Sequence, residues 1–486
     1  MKVGLIKPPS ILRNYRFINS QPPINLAMLG AYLQERGVEV QIRDFDVQPL
    51  DDLEPWLAAF RPDLVGLTAM TPMILAAAAI AQRIKDRSGG IPIVVGGPHA
   101  SALPERTLRE FPAFDFAIAG EGEEPLMRLV EGLKGASLDG IPGLSRREGG
   151  AIVAGPPPRR FQDLDSLPLP DRGLLPLDRY QGQSFRGFAR RSLRIAELVT
   201  SRGCPYACIF CHAQDRKVRM LSAARVLEDL QVCRHRHGAQ HIVFMDDMFT
   251  LNRRRLAPLL AGLRDLGLTF NCSTRVDAVD PDLLREMARS GCRGVSFGVE
   301  SGSPRVLEWI GKQITVEQSI RAFDAARAAG IPQIEASIVL GAHPDEEAVD
   351  IQQTIALLRR LRPTIISVTT VVPYPGTPLY QLMIDRGLLS PDAGWDQFVF
   401  FGGRPSWRTQ HFTIAELAKV QNRILREHFF SWRFLRHLLR TVRGVGDVRY
   451  YLDSAAGFLR SSLPDQRPPS GGGAGSTLKP PAREGM

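Results

Sequence analysis

Over the first 130 residues, short apolar runs alternate with stretches of helical spacing. Val3-Gly4-Leu5-Ile6 reads as a strand, and Leu26, Leu29 and Leu33 mark a helix over 25–36 that stops at Gly37. Further strands are predicted at 38–43, 63–68, 93–95 and 116–119, with a helix over 74–84. The run 63–68 has no polar interior residue, as suits a parallel strand covered on both faces. Such alternation predicts an α/β fold, an N-terminal doubly wound, Rossmann-like parallel sheet. Ligands of these folds sit outside the carboxyl ends of the strands. Those ends carry Lys7-Pro8-Pro9, Asp44, the 68–71 turn, Gly96 to His99 and Gly120-Glu121-Gly122-Glu123.

Residues 131–193 hold turn signals and many prolines, among them Pro156, Pro157, Pro158, Pro168, Pro170 and Pro176, the pattern of a hairpin followed by a linker. A second alternating series follows, with strands predicted at 197–200, 241–245, 269–272, 294–299, 335–340 and 365–371. The helix at 316–329 opens on Thr315 and Gln318, a capping box. Six strand–helix units predict a partial (β/α)6 barrel, whose chemistry gathers at the carboxyl ends of its strands. Residues 412–460 read as helical, and the Pro/Gly/Ser-rich 464–486 as a disordered tail. The expected domains are 1–135, a hairpin and linker at 136–193, a barrel at 194–400, a small helical C-terminal region at 401–463, and the tail.

Composition is ordinary for a globular chain of 486 residues: 44% apolar and 23% charged. The net charge of +10 is concentrated. Residues 404–449 hold ten Lys/Arg against three acids, so the rest is nearly neutral and no nucleic-acid partner is expected. No secretory signal is visible, and the longest apolar run, 73–81, is far short of the roughly 20 residues that span a bilayer. A cytoplasmic protein is expected.

Three of the six cysteines, Cys204, Cys208 and Cys211, fall within eight residues as C-x3-C-x2-C, just after the first strand of the second series. Zinc would want four ligands, normally as two pairs, and no second pair exists. A 4Fe–4S cluster accepts thiolates and can leave one iron for a non-protein ligand. Cys233, Cys272 and Cys292 read as buried, and His212 as a packed neighbour.

This spacing, with Phe210 before the third cysteine, resembles the radical S-adenosylmethionine (SAM) superfamily over residues 194–380. The resemblance implies SAM contacts at Asp246 and Asp247, which end the second barrel strand, and at Glu300 and Ser301, which end the fourth. Two segments, 341–347 and 373–378, look like the turns after strands five and six. Methionine nitrogen and carboxylate would chelate the open iron. One electron would cleave SAM to methionine and a 5′-deoxyadenosyl radical, which abstracts hydrogen from an unactivated C–H. Carboxylates match the SAM ammonium. The bland alternative is that Asp247 and Glu300 cap helices.

A doubly wound domain ahead of such a barrel resembles the cobalamin-binding class of these enzymes, on Val94-Val-Gly-Gly-Pro-His-Ala100 and Gly120-Glu-Gly-Glu-Glu124. The resemblance implies cobalamin contacts at Thr68, Thr71, Gly96, Gly97, His99, Gly120 and Glu121. Many cobalamin proteins carry D-x-H-x-x-G; here the segment is Asp44-Phe-Asp46-Val-Gln-Pro49, so no histidine is offered there as lower cobalt ligand. A degenerate flavodoxin-like domain that only packs on the barrel is the alternative.

The leading expectation is a cobalamin-dependent radical SAM methyltransferase acting on an unactivated carbon of a small molecule. The alternative is an oxidative cyclase or rearrangement enzyme with the same cofactors. A non-catalytic cobalamin or redox sensor fits the intact cysteine triad poorly. An RNA methylthiolase would need a further triad in 1–203, which holds no cysteine. An electron donor such as flavodoxin or ferredoxin is implied. The basic amphipathic segment 412–443 leaves three uses open: a peripheral membrane contact, an amphiphilic substrate, or packing on the barrel.

Overall fold

The computed structural model describes residues 1–10, 21–180, 194–212, 215–399 and 405–441. The expected tail at 464–486 lies outside the described residues. In the first sheet, β1 (Lys2–Lys7), β2 (Glu39–Asp44), β3 (Leu64–Thr68), β4 (Ile93–Gly96) and β5 (Phe116–Ile118) run parallel. The hairpin of β6 (Leu144–Glu148) and β7 (Ala151–Ala154) extends the same sheet antiparallel, giving the order β2-β1-β3-β4-β5-β6-β7. The hairpin read as the start of a linker is thus an edge of the first sheet.

Both faces of this sheet are covered. Helices α1 (Ile24–Gln34), α2 (Leu53–Phe60), α3 (Ile74–Ser88), α4 (Pro98–Ala102), α5 (Pro104–Glu110) and α6 (Glu123–Gly132) link or follow its strands. Leu26, Ala27 and Leu33 of α1 and Leu126, Leu129 and Val130 of α6 bury Val3, Leu5, Val40 and Val94 on one face. Trp56 and Phe60 of α2 and Ile74, Ile80 and Ile84 of α3 bury Ile6, Val65, Leu67 and Val95 on the other.

The second sheet begins with β8 (Ile195–Leu198). A two-residue ladder, β9 (Ser201–Arg202) with β10 (Arg219–Met220), then closes the neck of the cysteine loop. Five strands follow in parallel: β11 (His241–Phe244), β12 (Thr269–Thr274), β13 (Cys292–Glu300), β14 (Gln333–Leu340) and β15 (Ile365–Thr370). The order β15-β14-β13-β12-β11-β8 is an unclosed six-stranded barrel. Its helices are α7 (Ala223–His235), α8 (Arg253–Asp265), α9 (Pro281–Arg289), α10 (Pro304–Trp309), α11 (Val316–Ala328), α12 (Ala348–Leu361) and α13 (Pro378–Asp385). The capping box of Thr315 and Gln318 is formed at α11. Strand residues alternate in direction. Ile242, Phe244, Phe270, Cys272, Val295, Phe297, Ile334 and Ala336 pack outward in the core, so Glu197, Asn271, Ser296 and Glu335 face the lumen.

Beyond the barrel, α14 (Ile414–Phe429) and α15 (Trp432–Thr441) end the described chain. α14 buries Ile414, Leu417, Ile424 and Leu425, and Gln421 Nε2 donates to the Val368 carbonyl of edge strand β15 at 2.7 Å. At the opposite edge, Arg172 of the linker donates to the Glu197 carbonyl of β8 at 3.0 Å. The same guanidinium pairs with Asp229 of α7 at 2.5 and 3.1 Å, both side chains buried. Among the described residues no helix is long and apolar enough to cross a membrane.

Removing one partner of a buried ion pair leaves the other charge uncompensated. Asp229→Ala should therefore lower the free energy of unfolding by about 3 kcal/mol. Urea denaturation checks this; a midpoint equal to that of the parent would show that Arg172 finds another partner.

Candidate functional site

The cysteine loop is fixed at several points. Gly203 takes φ +93°, and a Cβ there would lie 2.7 Å from the Asp215 carbonyl, so glycine is required just before Cys204. Cys204 N–H donates to the Asp215 carbonyl at 2.8 Å, and Cys211 N–H to that of Cys208 at 3.1 Å. Ile209 N–H reaches the Ile310 carbonyl at 3.1 Å, and the Ile209 carbonyl accepts from Leu379 N–H at 3.0 Å. The loop thus rests on the end of α10 and the start of α13. The Arg275 guanidinium, after β12, lies 3.5 Å from the Tyr206 ring centre, and also donates to the Lys312 carbonyl at 2.6 Å.

None of the three loop cysteines is in a disulfide, and all three are half-buried; Cys233, Cys272 and Cys292 are buried in the core. Burial pushes the Cys233 thiol up to about 12, so it stays protonated. Among the described residues no three His, Cys, Asp or Glu side chains converge on a single ion. A cubane cluster presents four separate irons and spaces its thiolates more widely than one ion does, and soft sulfur donors suit it. The donor set therefore fits a cluster better than a lone metal ion.

The lumen below the loop is polar. Glu300 adopts φ +63° at an irregularity in the β13–β14 register, a left-handed conformation rare outside glycine. Its buried carboxylate meets Lys312 Nζ at 2.8 Å. A Cβ at Gly298 would fall 2.5 Å from Glu300 Oε1 and 2.6 Å from Lys312 Nζ. Asp247 opens to solvent, yet desolvation by its surroundings raises its carboxyl pKa, the mark of a concave wall. Asn271 Oδ1 is a buried acceptor with no hydrogen-bond partner among the described residues. In the ladder Asn271 stands opposite Val243 and Gly294, several residues below the strand ends that carry Asp247 and Glu300.

The other sequence-predicted residues of the barrel turn elsewhere. Asp246 is buried and accepts from Thr200 N–H at 3.1 Å, from Thr200 Oγ1 at 3.0 Å and from Ser201 Oγ. It ties β11 to the strand that leads into the cysteine loop. Ser301 Oγ lies 3.2 Å from Thr354 Oγ1 and accepts from Ser303 N–H, on the α12 side of the chain. Ser303 Oγ in turn donates to Asp350 at 2.6 Å.

At the first sheet, Thr68, Gly96 and Gly97 line the carboxyl ends of β3 and β4. Gly97 has φ +93°, and a Cβ there would be 2.9 Å from Thr68 Oγ1 and the Ala69 carbonyl. Met70 is 49% exposed, and Leu75 opens to solvent just beyond. That apolar area at a ligand-binding edge fits a broad ring such as a corrin. Thr71 and His99 are buried together at 3.3 Å, and the His99 ring stands edge-on to Trp395, 4.8 Å away. Burial lowers the His99 pKa to about 4, so the ring is neutral. Asp46 pairs with Lys7 at 2.9 Å, and Asp44 accepts from Lys7 and from Tyr180 OH. Glu121 is bound by Arg219 and Arg202. Burial pushes its carboxyl up, but those cations hold it below the usual range. Sequence reasoning missed Asn271, Lys312, Arg202 and Arg219. Only the last two carried a signal, as charges flanking the triad.

Residues 17–130 match the B12 binding domain, and 198–358 the radical SAM superfamily. An uncharacterized methyltransferase of Pyrococcus horikoshii is 34% identical over 441 residues, 89% of this chain and 92% of that protein. The anaerobic magnesium-protoporphyrin IX monomethyl ester cyclase of Rubrivivax gelatinosus is 28% identical, over 79% of this chain and 70% of its own. The structure of OxsB, a cobalamin-dependent SAM radical enzyme with aqua-cobalamin and SAM bound, superposes with a TM-score of 0.72 at 20% identity. It covers 95% of this chain and 71% of that one, and shares the fold.

Gly298→Ala would press a methyl group against the Glu300–Lys312 pair. Overpacking of this kind costs on the order of 1–3 kcal/mol. Thermal unfolding of the variant checks it; an unchanged midpoint would mean that the two side-chain tips give way freely.

Proposed function

Because this chain belongs to the cobalamin-binding radical SAM family, we propose that it is a methyltransferase acting on an unactivated carbon of a small-molecule substrate, with a 4Fe–4S cluster, SAM and cobalamin as cofactors. The observation that carries this reading is the meeting of a three-thiol loop with an acidic, incompletely satisfied lumen, beside a first sheet whose ligand edge is open and apolar. When bound, the cluster would supply the electron that cleaves SAM, and cobalamin the methyl group.

In this reading Cys204, Cys208 and Cys211 hold the cluster. Asp247 and Glu300 hold the SAM ammonium and hydroxyls by charge-assisted hydrogen bonds. Lys312 Nζ, 2.8 Å away, aims the Glu300 carboxylate. Asp246 and Ser301 act one step back, through Thr200 and through α12. Thr68, Gly96, Gly97 and Gly120 would border cobalamin, with Met70 against its face, while Thr71 and His99 support them from behind; Glu121 is taken up by Arg202 and Arg219. Asp46, paired to Lys7, would not be offered to cobalamin.

The likeness to the Rubrivivax cyclase favours radical cyclisation as the second reading. Products separate the two: a methylase yields both S-adenosylhomocysteine and 5′-deoxyadenosine, whereas a cyclase need not yield the former. An electron donor such as flavodoxin or ferredoxin completes the scheme. Cysteines outside any disulfide suit the reducing cytoplasm. Exposed Phe430 (64%), Trp432 (67%) and Leu435 (42%), flanked by Arg426, Arg433 and Arg436, suit a peripheral contact with an anionic membrane.

Anaerobically reconstituted protein should carry one cluster, and the Cys204, Cys208 and Cys211 to Ala triple variant none; about four irons per chain in that variant would overturn the assignment. For the membrane contact, the full chain should float with anionic liposomes at low salt and lose most of that binding when Trp432 and Leu435 are changed to Ser. Recovery of the parent in the soluble fraction would mean that these side chains have no lipid role.

A further inference from the structure

The turn after β5, Gly120-Glu121-Gly122-Glu123, was expected at a nucleotide tail, yet both of its first two carboxylates reach the other domain. Arg202 and Arg219 face each other across the ladder that closes the neck of the cysteine loop. Like charges directly opposite in a ladder repel. Here carboxylates meet them. Arg219 Nη2 lies 2.7 Å from Glu121 Oε1 and 2.7 Å from Asp215 Oδ2. Arg202 reaches Glu123 Oε1 at 2.5 Å and Glu121 Oε2 at 3.3 Å. Arg160 adds a contact to Asp215 at 3.1 Å. Three guanidinium groups thus balance three carboxylates.

The linker is tied into the same knot. Phe161 N–H donates to Glu121 Oε2 at 2.8 Å, and its carbonyl accepts from Arg219 Nη1 at 2.6 Å. Gly120, at φ +81°, would press a Cβ within 2.8 Å of Pro158, so the turn's path against the linker depends on glycine. Both oxygens of Glu121 are occupied by protein donors, so it has little left to offer a ligand.

We propose that this turn clamps the neck of the cysteine loop, with Glu121 and Glu123 as positioning residues that register whatever the loop holds against the ligand edge of the first sheet. The neck closes with two arginines side by side only while the acids of the first domain are present. The loop is therefore ordered by a domain to which it does not belong.

Hydrogen–deuterium exchange on the full chain without cofactors reads the clamp directly. In Glu123→Gln, and more strongly in Glu121→Gln/Glu123→Gln, amides of the loop and its neck should exchange on the order of tenfold faster. Peptides of β1, β3 and β4 should keep parental exchange. Glu123→Gln/Arg202→Gln should be no faster than the worse of its single variants, because the two act as one pair. In reconstituted protein the same variants should release iron to a chelator faster while retaining cobalamin affinity. Parental loop exchange in both glutamate variants overturns the proposal. So does loss of cobalamin affinity with an unaltered loop, which would return the turn to the cofactor. The iron arm rests on the function proposed above. If the parent forms no cluster, that function fails while the exchange result still stands or falls by itself.

Discussion

A six-stranded parallel sheet curled into a barrel that does not close leaves two edges of unpaired backbone, and the rest of this molecule answers to that constraint. Exposed edges recruit other strands unless something covers them. Here the linker covers β8 through Arg172, and α14 covers β15 through Gln421. Arg172 can be buried there because Asp229 neutralises it. The segments before and after the barrel are therefore parts of it, and the lumen opens at the carboxyl ends of the strands rather than at a seam.

An unclosed barrel also has room inside for polar side chains. Apolar residues point to the helices, while Asn271, Ser296, Glu300 and Glu335 point inward. Buried charge of this kind needs a partner or a ligand. Glu300 has Lys312, at the cost of a left-handed backbone and a glycine two residues earlier. Asn271 Oδ1 has no partner among the described residues. The cysteine loop lies over this lumen because the ends of α10 and α13 supply the backbone groups that hold it.

The first sheet meets the barrel with charge as well as with apolar surface. Lys7, Asp44, Asp46 and Tyr180 form one hydrogen-bonded group at its carboxyl edge, and Glu197 of β8 lies close enough to feel Lys7. Burial pushes the Glu197 carboxyl up to about 8. Together with the arginines of the neck, these contacts give the interface directional, short-range bonds. Such bonds define a register between two domains more sharply than apolar packing does.

The amino-acid sequence by itself determined the two alternating series, the strand that leads into the cysteine triad, and the capping box of α11. These follow from period, from turn residues and from contacts three or four positions apart. It also marked which residues stand at strand ends, since the carboxyl edge is defined by chain direction alone. The use of each such residue was decided only by the tertiary structure. Asp246 and Asp247 are neighbours, yet one is spent on Thr200 and Ser201 while the other opens to solvent. Glu121 stands beside a glycine turn that resembles a ligand loop, yet its partners come from residues 81 and 98 positions further along the chain. His99 is sealed by Trp395, almost 300 residues away. Which oxygen is free and which is satisfied depends on groups that folding brings from distant parts of the chain, and no local pattern encodes them.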